Sequence, residues 1–159
     1  MNHGFAGSYA RQPDMIVATR PSGDAKPIKF GSPLMRGPGG SVVAATGALT
    51  AETFAGVAGK EFKSALAYLE QSGAGGEYAP GEAVPVFQRG SINVLCALGG
   101  AALGGAAYVR TAADGVKKVG DFEAAADAGK NVPLPNAQWG GDADPNGVAE
   151  LVLLTRANA

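Results

Sequence analysis

The sequence predicts an all-β protein, a small β-barrel or jelly-roll-like sandwich with an extended N-terminal arm and little helix. Short apolar runs rich in Val, Ile, Phe and Tyr recur about every ten residues, as in small sandwiches and barrels. Turns rich in Gly and Pro separate these runs. The clearest group lies within residues 78–110, where the runs are 83–87, 92–98 and 106–109.

The N-terminal residues differ from the rest of the chain. Residues 1–13 show neither helical nor strand periodicity, yet they carry the aromatic side chains of Phe5 and Tyr9. These rings can be buried only by docking on the chain's own barrel or on a neighbouring subunit, and the sequence leaves both alternatives open. The chain of 159 residues therefore divides into an arm, 1–13, and a single β-barrel domain, 14–159.

The region between the arm and residue 60 is rich in short β-prone segments. Each segment is followed closely by Gly, Pro or Ser, which favour turns. The predicted strands lie at 15–20, 28–30, 41–45 and 53–58, whereas residues 34–36 are interpreted as leading into a loop at 37–40.

Segment 60–71 is the place where a helix competes with a strand. Phe62, Ala65 and Leu69 are spaced as on one face of a helix, with Lys63 on the other side. The flanking glycines and the neighbouring strands favour a β arm instead. Periodicity alone slightly favours the helix.

The central region is predicted to contain separate strands, with a break at Gly90. After this break Ile92, Val94 and Cys96 alternate with polar residues and a leucine, so one face of that strand is apolar and the other is mixed. Pro85 cannot donate a ladder hydrogen bond, which predicts an edge strand or a bulge at that position. Cys96, the single cysteine, is expected to be a small buried hydrophobe rather than a reactive thiol.

The C-terminal third continues the β pattern with one ambiguous segment. Asp and Gly at 114–115 predict a hairpin turn leading into a strand, whereas a short segment before Gly129 has helix-forming composition. A segment with two prolines is expected to be extended at an edge, and the last run is long enough for a central strand. These segments are 116–119, 122–128, 131–137 and 148–154.

Charge and composition limit the possible functions. The chain carries 13 Lys and Arg against 14 Asp and Glu, and only 17% of its residues are charged. A nucleic-acid partner held by a basic patch is therefore not expected, whereas low charge suits a protein that works in an assembly. The sequence shows no signal-peptide pattern and no apolar run approaching the roughly 20 residues of a membrane helix. We expect synthesis in the cytoplasm and no membrane partner.

A loop near the C terminus offers a candidate cation site. Asp142, Asp144, Asn146 and Gly147 match the first half of a calcium-binding loop. The twelfth position, where that loop needs a bidentate Glu, is Leu153. The pattern therefore favours an Asx-rich β-turn and leaves a weak cation site as the alternative.

No residue constellation predicts catalysis or a cofactor. His3 is the only histidine, and the glycines at 99–105 lack the Lys and Ser or Thr of a phosphate-binding loop. Two carboxylate pairs are interpreted as solvated loop charges, Glu77 with Glu82 and Asp121 with Glu123. Trp139 is expected to be a core lid, with an exposed interface anchor as the alternative.

Several segments, in order and spacing, resemble the structural cement or head decoration proteins of tailed bacteriophages and prophages. They cover most of the chain apart from residues 21–50 and the Gly-rich stretches: GFAGSYARQPD, FAGVAGKEFKSA, YAPGEAVPVFQRGSINV, GGAAYVR, VGDFEAAAD and NVPLPNAQW…GVAELVLLTR.

The resemblance implies a small β-barrel protein that binds the outside of the assembled capsid. It would bridge neighbouring major capsid subunits as a homo-oligomer, a dimer or a trimer, and would be located on the virion. The family supplies no catalytic residues and no cofactor. It also implies that segment 60–68 is β rather than helix.

The partner-contact candidates are the arm residues Phe5, Tyr9 and Arg11 and the exposed positions near Trp139. A second hypothesis is a free-standing β-barrel module that binds a small ligand or a glycan. It predicts a polar concavity and a monomer in solution, whereas an enzyme is the least favoured class.

Overall fold

The structure is a computed structural model that describes residues 5–10, 14–60 and 76–155. Residues 61–71 of the segment with competing helix and strand patterns, and the contact candidate Arg11, lie outside the described residues.

The described residues form an almost purely β structure, which confirms the predicted fold class. A single 3-10 turn is found among them, at Pro38–Gly40. The strands are β1 Ile16–Pro21, β2 Ile28–Lys29, β3 Pro33–Arg36, β4 Val42–Ala44, β5 Phe54–Ala58, β6 Glu77–Tyr78, β7 Ala83–Leu98, β8 Ala106–Arg110, β9 Phe122–Glu123, β10 Asn131–Trp139 and β11 Val148–Leu153.

Strand β7 is continuous across the position where the sequence predicts a break, so that prediction is wrong. Gly90 adopts a φ of +105°, and a Cβ at this position would lie 2.1 Å from the carbonyl oxygen of Asp14. The glycine therefore permits a close crossing of the chain within the strand instead of ending it. Before Gly90, β7 pairs with β1 and β5, and from Gly90 onward it pairs with β11 and β9.

The second half of β7 belongs to a closed ring of strands, which we call the C-terminal barrel. Going around the ring, β7 is followed by β9, β8, β10 and β11, and β11 pairs back with β7. The β11–β7 ladder is antiparallel and runs from Val148 opposite Leu95 to Leu153 opposite Gly90. The expected central position of the last strand is therefore confirmed.

The first half of β7 belongs to a second ring, the N-terminal barrel, formed by β1, β7, β5, β3 and β4. The two end strands of this series, β1 and β4, meet beyond the end of β1. There Ser22 forms a parallel bridge with Val42, and the N–H of Gly23 donates to the carbonyl of Val42 at 2.9 Å. The ring is therefore closed by a short seam.

Two apolar clusters form the core. The larger one spans both rings and contains Phe54 of β5 together with Trp139 and Leu151, and the other contains Leu34 and Val86 of the N-terminal barrel. Residues of β7 contribute to both clusters, and this strand is buried on both faces over most of its length. The β2–β6 ribbon adds its Ile28 and Tyr78 side chains to the second cluster.

Pro85 is neither on an edge nor at a bulge, contrary to the prediction. Its carbonyl accepts a hydrogen bond from the N–H of Gly59 at 2.8 Å. In an antiparallel sheet the N–H and C=O of one residue point towards the same neighbouring strand, so the N–H that Pro85 lacks would face Gly59. Because β5 ends at Ala58, this missing N–H lies beyond the end of the ladder between β5 and β7. The register irregularity between β1 and β7 lies between Ile16 and Val17.

The predicted edge position of the proline-rich segment is also wrong. Strand β10 lies between β8 and β11. Its ladder with β8 is interrupted between Pro133 and Gln138, which leaves Pro135 in the interrupted part. An internal strand can therefore accept Pro135 because that part of β10 forms no ladder with β8, whereas Pro133 lies opposite Tyr108 at the end of the paired part.

The turn at Asp114 is confirmed, but the strand predicted at 116–119 is wrong. The backbones of Asp114 and Lys117 exchange hydrogen bonds of 3.1 and 3.0 Å, which closes a tight turn. A second turn with Gly120 at a φ of +91° follows and leads into β9. The helix-forming composition of 122–128 produces no helix, because its first residues pair with β7 and β8.

Candidate functional site

The described part of the arm lies along β7 of its own chain. The N–H of Gly7 donates to the carbonyl of Asn93 at 2.8 Å, and the N–H of Asn93 donates to the carbonyl of Ser8 at 2.8 Å. The N–H of Ala10 donates to the carbonyl of Ser91 at 3.0 Å. Of the two docking alternatives that the sequence leaves open, the described residues therefore adopt docking on the chain's own barrel.

Tyr9 fixes the arm with its side chain. Its ring stacks on that of Phe87, with centroids 5.4 Å apart and an interplanar angle of 25°. A Cβ at Gly59 would lie 2.7 Å from the Tyr9 hydroxyl oxygen, so this close packing depends on a glycine. The half-buried Tyr9 ring thus packs against the core of its own chain.

Phe5 is the arm ring that faces solvent. Its side chain is 45% exposed, and the Lys60 ammonium lies 4.4 Å from the ring centroid. This distance is within the range of a cation–π interaction. The N–H of Lys60 also donates to the carbonyl of Gly7 at 2.6 Å, which ties the segment that follows β5 to the arm near Phe5.

A close backbone contact anchors the beginning of the arm. Gly7 and Gly31 have φ values of +85° and +76°. A Cβ at Gly7 would lie 2.8 Å from the backbone nitrogen of Gly31. Glycine is therefore required at Gly7 both by the left-handed backbone and by the neighbouring chain.

Trp139 lies in the core. Its side chain is fully buried at the end of β10, so the structure adopts the core alternative rather than the exposed anchor. Its backbone exchanges hydrogen bonds with Gly104 and Gly105 in the adjacent loop. The tip of that loop carries Leu103, which is 80% exposed. Leu103 is therefore an exposed apolar position near Trp139.

The candidate cation residues form a turn. Asp144 is buried, and its Oδ1 accepts hydrogen bonds from the N–H groups of Asn146 at 2.8 Å and Val148 at 3.0 Å. Asp142 and Asn146 are exposed. This is the Asx-turn geometry that the sequence favours. Among the described residues, no group of three or more His, Cys, Asp or Glu is placed to hold a metal ion.

A buried ion pair was missed by the sequence analysis, which wrongly interpreted Glu123 as a solvated loop charge. Arg110 and Glu123 are both fully buried and form hydrogen bonds of 2.5 Å from Nε and 3.1 Å from Nη2. Arg110 Nη2 also donates to Asp127 at 2.7 Å, and Asn131 donates to Glu123 at 2.7 Å. Because β8 and β9 are adjacent, their charges meet inside the fold.

The electrostatics of this group are those of a structural element. Hydrogen bonds to Glu123 and then to Asp127 raise the pKa of Arg110. The Arg110 hydrogen bond lowers the pKa of Asp127. These shifts hold Arg110 and Asp127 in their charged forms, so neither side chain is poised to exchange a proton at neutral pH. Cys96 is half-buried rather than buried as the sequence analysis expects, and this partial burial raises the pKa of its thiol, which disfavours the reactive thiolate.

Comparison with known proteins identifies the family. The model of the phage structural cement proteins, described as E217 gp24/Pam3 gp6, matches residues 1–154. The chain belongs to this family. As a structural cement protein it decorates and stabilises a phage capsid, and its role in the virion is structural. No curated protein matches the sequence.

A solved structure shows the same fold. A chain from "The capsid of Myoviridae Phage XM1" is similar, with a TM-score of 0.69 over 96% of this chain and 91% of that chain. The two sequences are 14% identical. Among the described residues of the cement protein, no helix is long and apolar enough to cross a bilayer.

Proposed function

We propose that this cement protein binds the outer surface of the assembled head and bridges neighbouring major capsid subunits as a dimer or trimer. The match of the family model over residues 1–154 is the observation that carries this proposal. A protein that binds only the assembled shell stabilises it by mass action. Many copies on one head make modest single contacts effective. The protein would be made in the bacterial host cytoplasm.

The contact surface that we propose combines the arm with the loop beside Trp139. Phe5 and Leu103 are large apolar side chains that the described structure leaves exposed, by 45% and 80%. Burying such side chains at an interface is favourable. Tyr9 would act by holding the arm in place through its contact with Phe87, and Arg11 would add a cation. The boundary between arm and barrel at residues 13 and 14 remains a prediction.

Co-sedimentation with expanded capsids that lack the protein tests capsid binding. The native protein is expected to pellet with capsids and not with free capsid subunits. Phe5→Ser, Leu103→Ser and deletion of residues 1–12 should each raise the concentration needed for half-saturation. Val116→Ser is the matched control, because Val116 is 91% exposed in a turn outside the proposed surface. Equal binding by all these variants would contradict the proposed surface.

Light scattering tests the oligomeric state. A solution mass of two or three times that of the chain is expected. A strict monomer that ignores capsids would instead support a free-standing ligand-binding barrel.

A further inference from the structure

The N-terminal barrel has an open end that forms a cavity of about 130 Å³. Every strand of this barrel contributes a lining residue, so the cavity opens into the barrel interior. The contributions are Arg20 from β1, Arg36 from β3, Val42 from β4, Ala55 from β5, and Val86 and Gln88 from β7, together with Gly37, Gly40 and Ser41 of the loop before β4.

The lining combines an apolar floor with two cationic groups. Val42, Ala55 and Val86 belong to the buried apolar cluster of this barrel. Arg20 and Arg36 are exposed residues that line the same cavity, and no carboxylate lies among its lining residues. A guanidinium is a planar donor that fits both oxygens of a carboxylate. The cavity therefore suits a group with a short apolar stem and an anionic end.

The open edge of β1 gives access to this cavity. Among the described residues, β1 pairs only with β7, and the ring closes beyond its end at the Ser22–Val42 bridge. Most of β1 is exposed, including Thr19 and Arg20. An extended segment of another protein can therefore approach along β1 and reach Arg20.

The size and charge of the cavity identify its occupant. A volume of about 130 Å³ is smaller than the roughly 300–1,000 Å³ of pockets that enclose whole small ligands, and it matches one side chain. The apolar floor favours the methylene groups of Asp or Glu. Phosphates of a nucleic acid are a poorer match, because the chain has fewer basic than acidic residues, 13 against 14.

We propose that the open end of the N-terminal barrel binds an Asp or Glu side chain of the major capsid protein, with Arg20 and Arg36 as its guanidinium partners. This inference rests on the proposed function, since it names the chemistry of one capsid contact. Arg20 contributes from the exposed strand β1, and Arg36 lines the same cavity from β3.

Capsid co-sedimentation with variants of Arg20 tests the inference. Arg20→Gln should raise the concentration for half-saturation about tenfold, Arg20→Glu should raise it further, and Arg20→Lys should have an intermediate effect. Lys26→Gln is the matched control, because Lys26 is exposed and does not line the cavity. Melting curves verify that each variant is folded. Binding by Arg20→Glu equal to that of the native protein would overturn the inference.

A second measurement examines the site without capsids. Glutarate, added to the purified full-length protein at up to about 50 mM, should shift the methyl resonances of Val42 and Val86, and Arg20→Gln should abolish the shift. Unchanged methyl resonances in the native protein would overturn the site. A native protein that shows the shift but never pellets with capsids would overturn the proposed function and the capsid occupant, but not the carboxylate site.

The same variants distinguish a capsid side chain from a second copy of the chain. If a capsid side chain occupies the cavity, Arg20→Glu should not change the solution mass of the purified protein measured in the absence of capsids. Loss of the oligomer in Arg20→Glu would show that a second copy occupies the cavity and would overturn the proposed partner.

Discussion

The ring of Tyr9 stacks on that of Phe87 with 5.4 Å between their centroids, and this contact joins the arm to the strand that both barrels share. The neighbouring backbone hydrogen bonds from Gly7 to Ala10 hold the chain in register but contribute little apolar burial. Tyr9 is therefore expected to supply much of the free energy that keeps the arm on the barrel.

We expect Tyr9→Ala to lower the free energy of unfolding by about 2 kcal/mol, because it removes a half-buried aromatic ring. The arm should also be cleaved faster by a protease that leaves the native barrel intact. Chemical denaturation and the rate of N-terminal cleavage measure the two effects. Phe5→Ala, at a more exposed ring, should change stability by less than about 0.5 kcal/mol. Similar losses in both variants would contradict the proposed role of Tyr9.

Replacement of Gly7 tests the close approach to Gly31. Gly7→Ala should destabilise the protein by about 3 kcal/mol, because backbone strain adds to the clash with the Gly31 nitrogen. Gly81→Ala is the control, since Gly81 has a similar φ of +77° and no atom within 4 Å of the added Cβ. Its expected cost is about 1 kcal/mol of backbone strain. Equal melting temperatures for the two variants would show that the contact is relaxed in solution.

Removal of one partner of the buried ion pair is expected to be severe. Glu123→Ala should cost about 3–5 kcal/mol, because it leaves the buried Arg110 guanidinium with less compensation. Combining Glu123→Leu with Arg110→Met should recover part of this loss, since the pair is replaced by apolar side chains. Denaturant titration of the single and double variants measures the difference. A double variant that is less stable than Glu123→Ala would contradict this explanation.

The carboxylates near the buried Arg110–Glu123 pair make the free energy of unfolding depend on pH. The pKa of Asp127 is lowered by its hydrogen bond from Arg110, and that of Asp114 by its hydrogen bond from Lys130. A lowered folded-state pKa adds stability above the ordinary value near 4, and this contribution is lost as the pH falls through the lowered pKa. Asp127→Asn should therefore be less stable than the native protein at pH 7, with a difference that shrinks towards pH 2. Melting temperatures across this range provide the measurement, and a constant difference would contradict the coupling.

The buried Trp139 offers a test of packing against hydrogen bonding. Its indole N–H has no hydrogen-bond partner among the described residues. Trp139→Phe therefore removes an unsatisfied donor along with some volume, and its cost should be about 1–2 kcal/mol. Trp139→Ala removes the whole ring and should cost about 3–5 kcal/mol. Calorimetry compares the two, and a Phe variant as unstable as the Ala variant would indicate a hydrogen bond lost in solution.

The fold class could be predicted because local features bound most strands. Gly59 marks the end of β5, and the apolar run of β11 matches a central strand. The continuity of β7 could not be predicted, because a glycine that ends a strand and one that allows a close crossing look the same in sequence. Gly90 takes the second role only because Asp14 passes next to it.

The candidate site was predictable in composition but not in arrangement. Phe5 and Tyr9 are both aromatic residues of an irregular arm, and only the tertiary contact with Phe87 buries one and leaves the other exposed. Glu123 resembles other loop acids until β9 pairs with β8 and brings it to Arg110. Arg110 directly follows the apolar run of β8, and this basic residue was the sequence feature that could have suggested the buried pair.

The sharing of β7 between the two barrels has a consequence for the nascent chain. During translation β1, β3, β4 and β5 are made before the strand that joins them, so the N-terminal barrel cannot close until β7 has left the ribosome. The C-terminal barrel then waits for β11, which pairs with β7. Unpaired strand edges therefore persist through most of synthesis. We expect protease resistance to appear late and in two steps, first in the N-terminal barrel after β7 has emerged and then, close to chain release, in the C-terminal barrel.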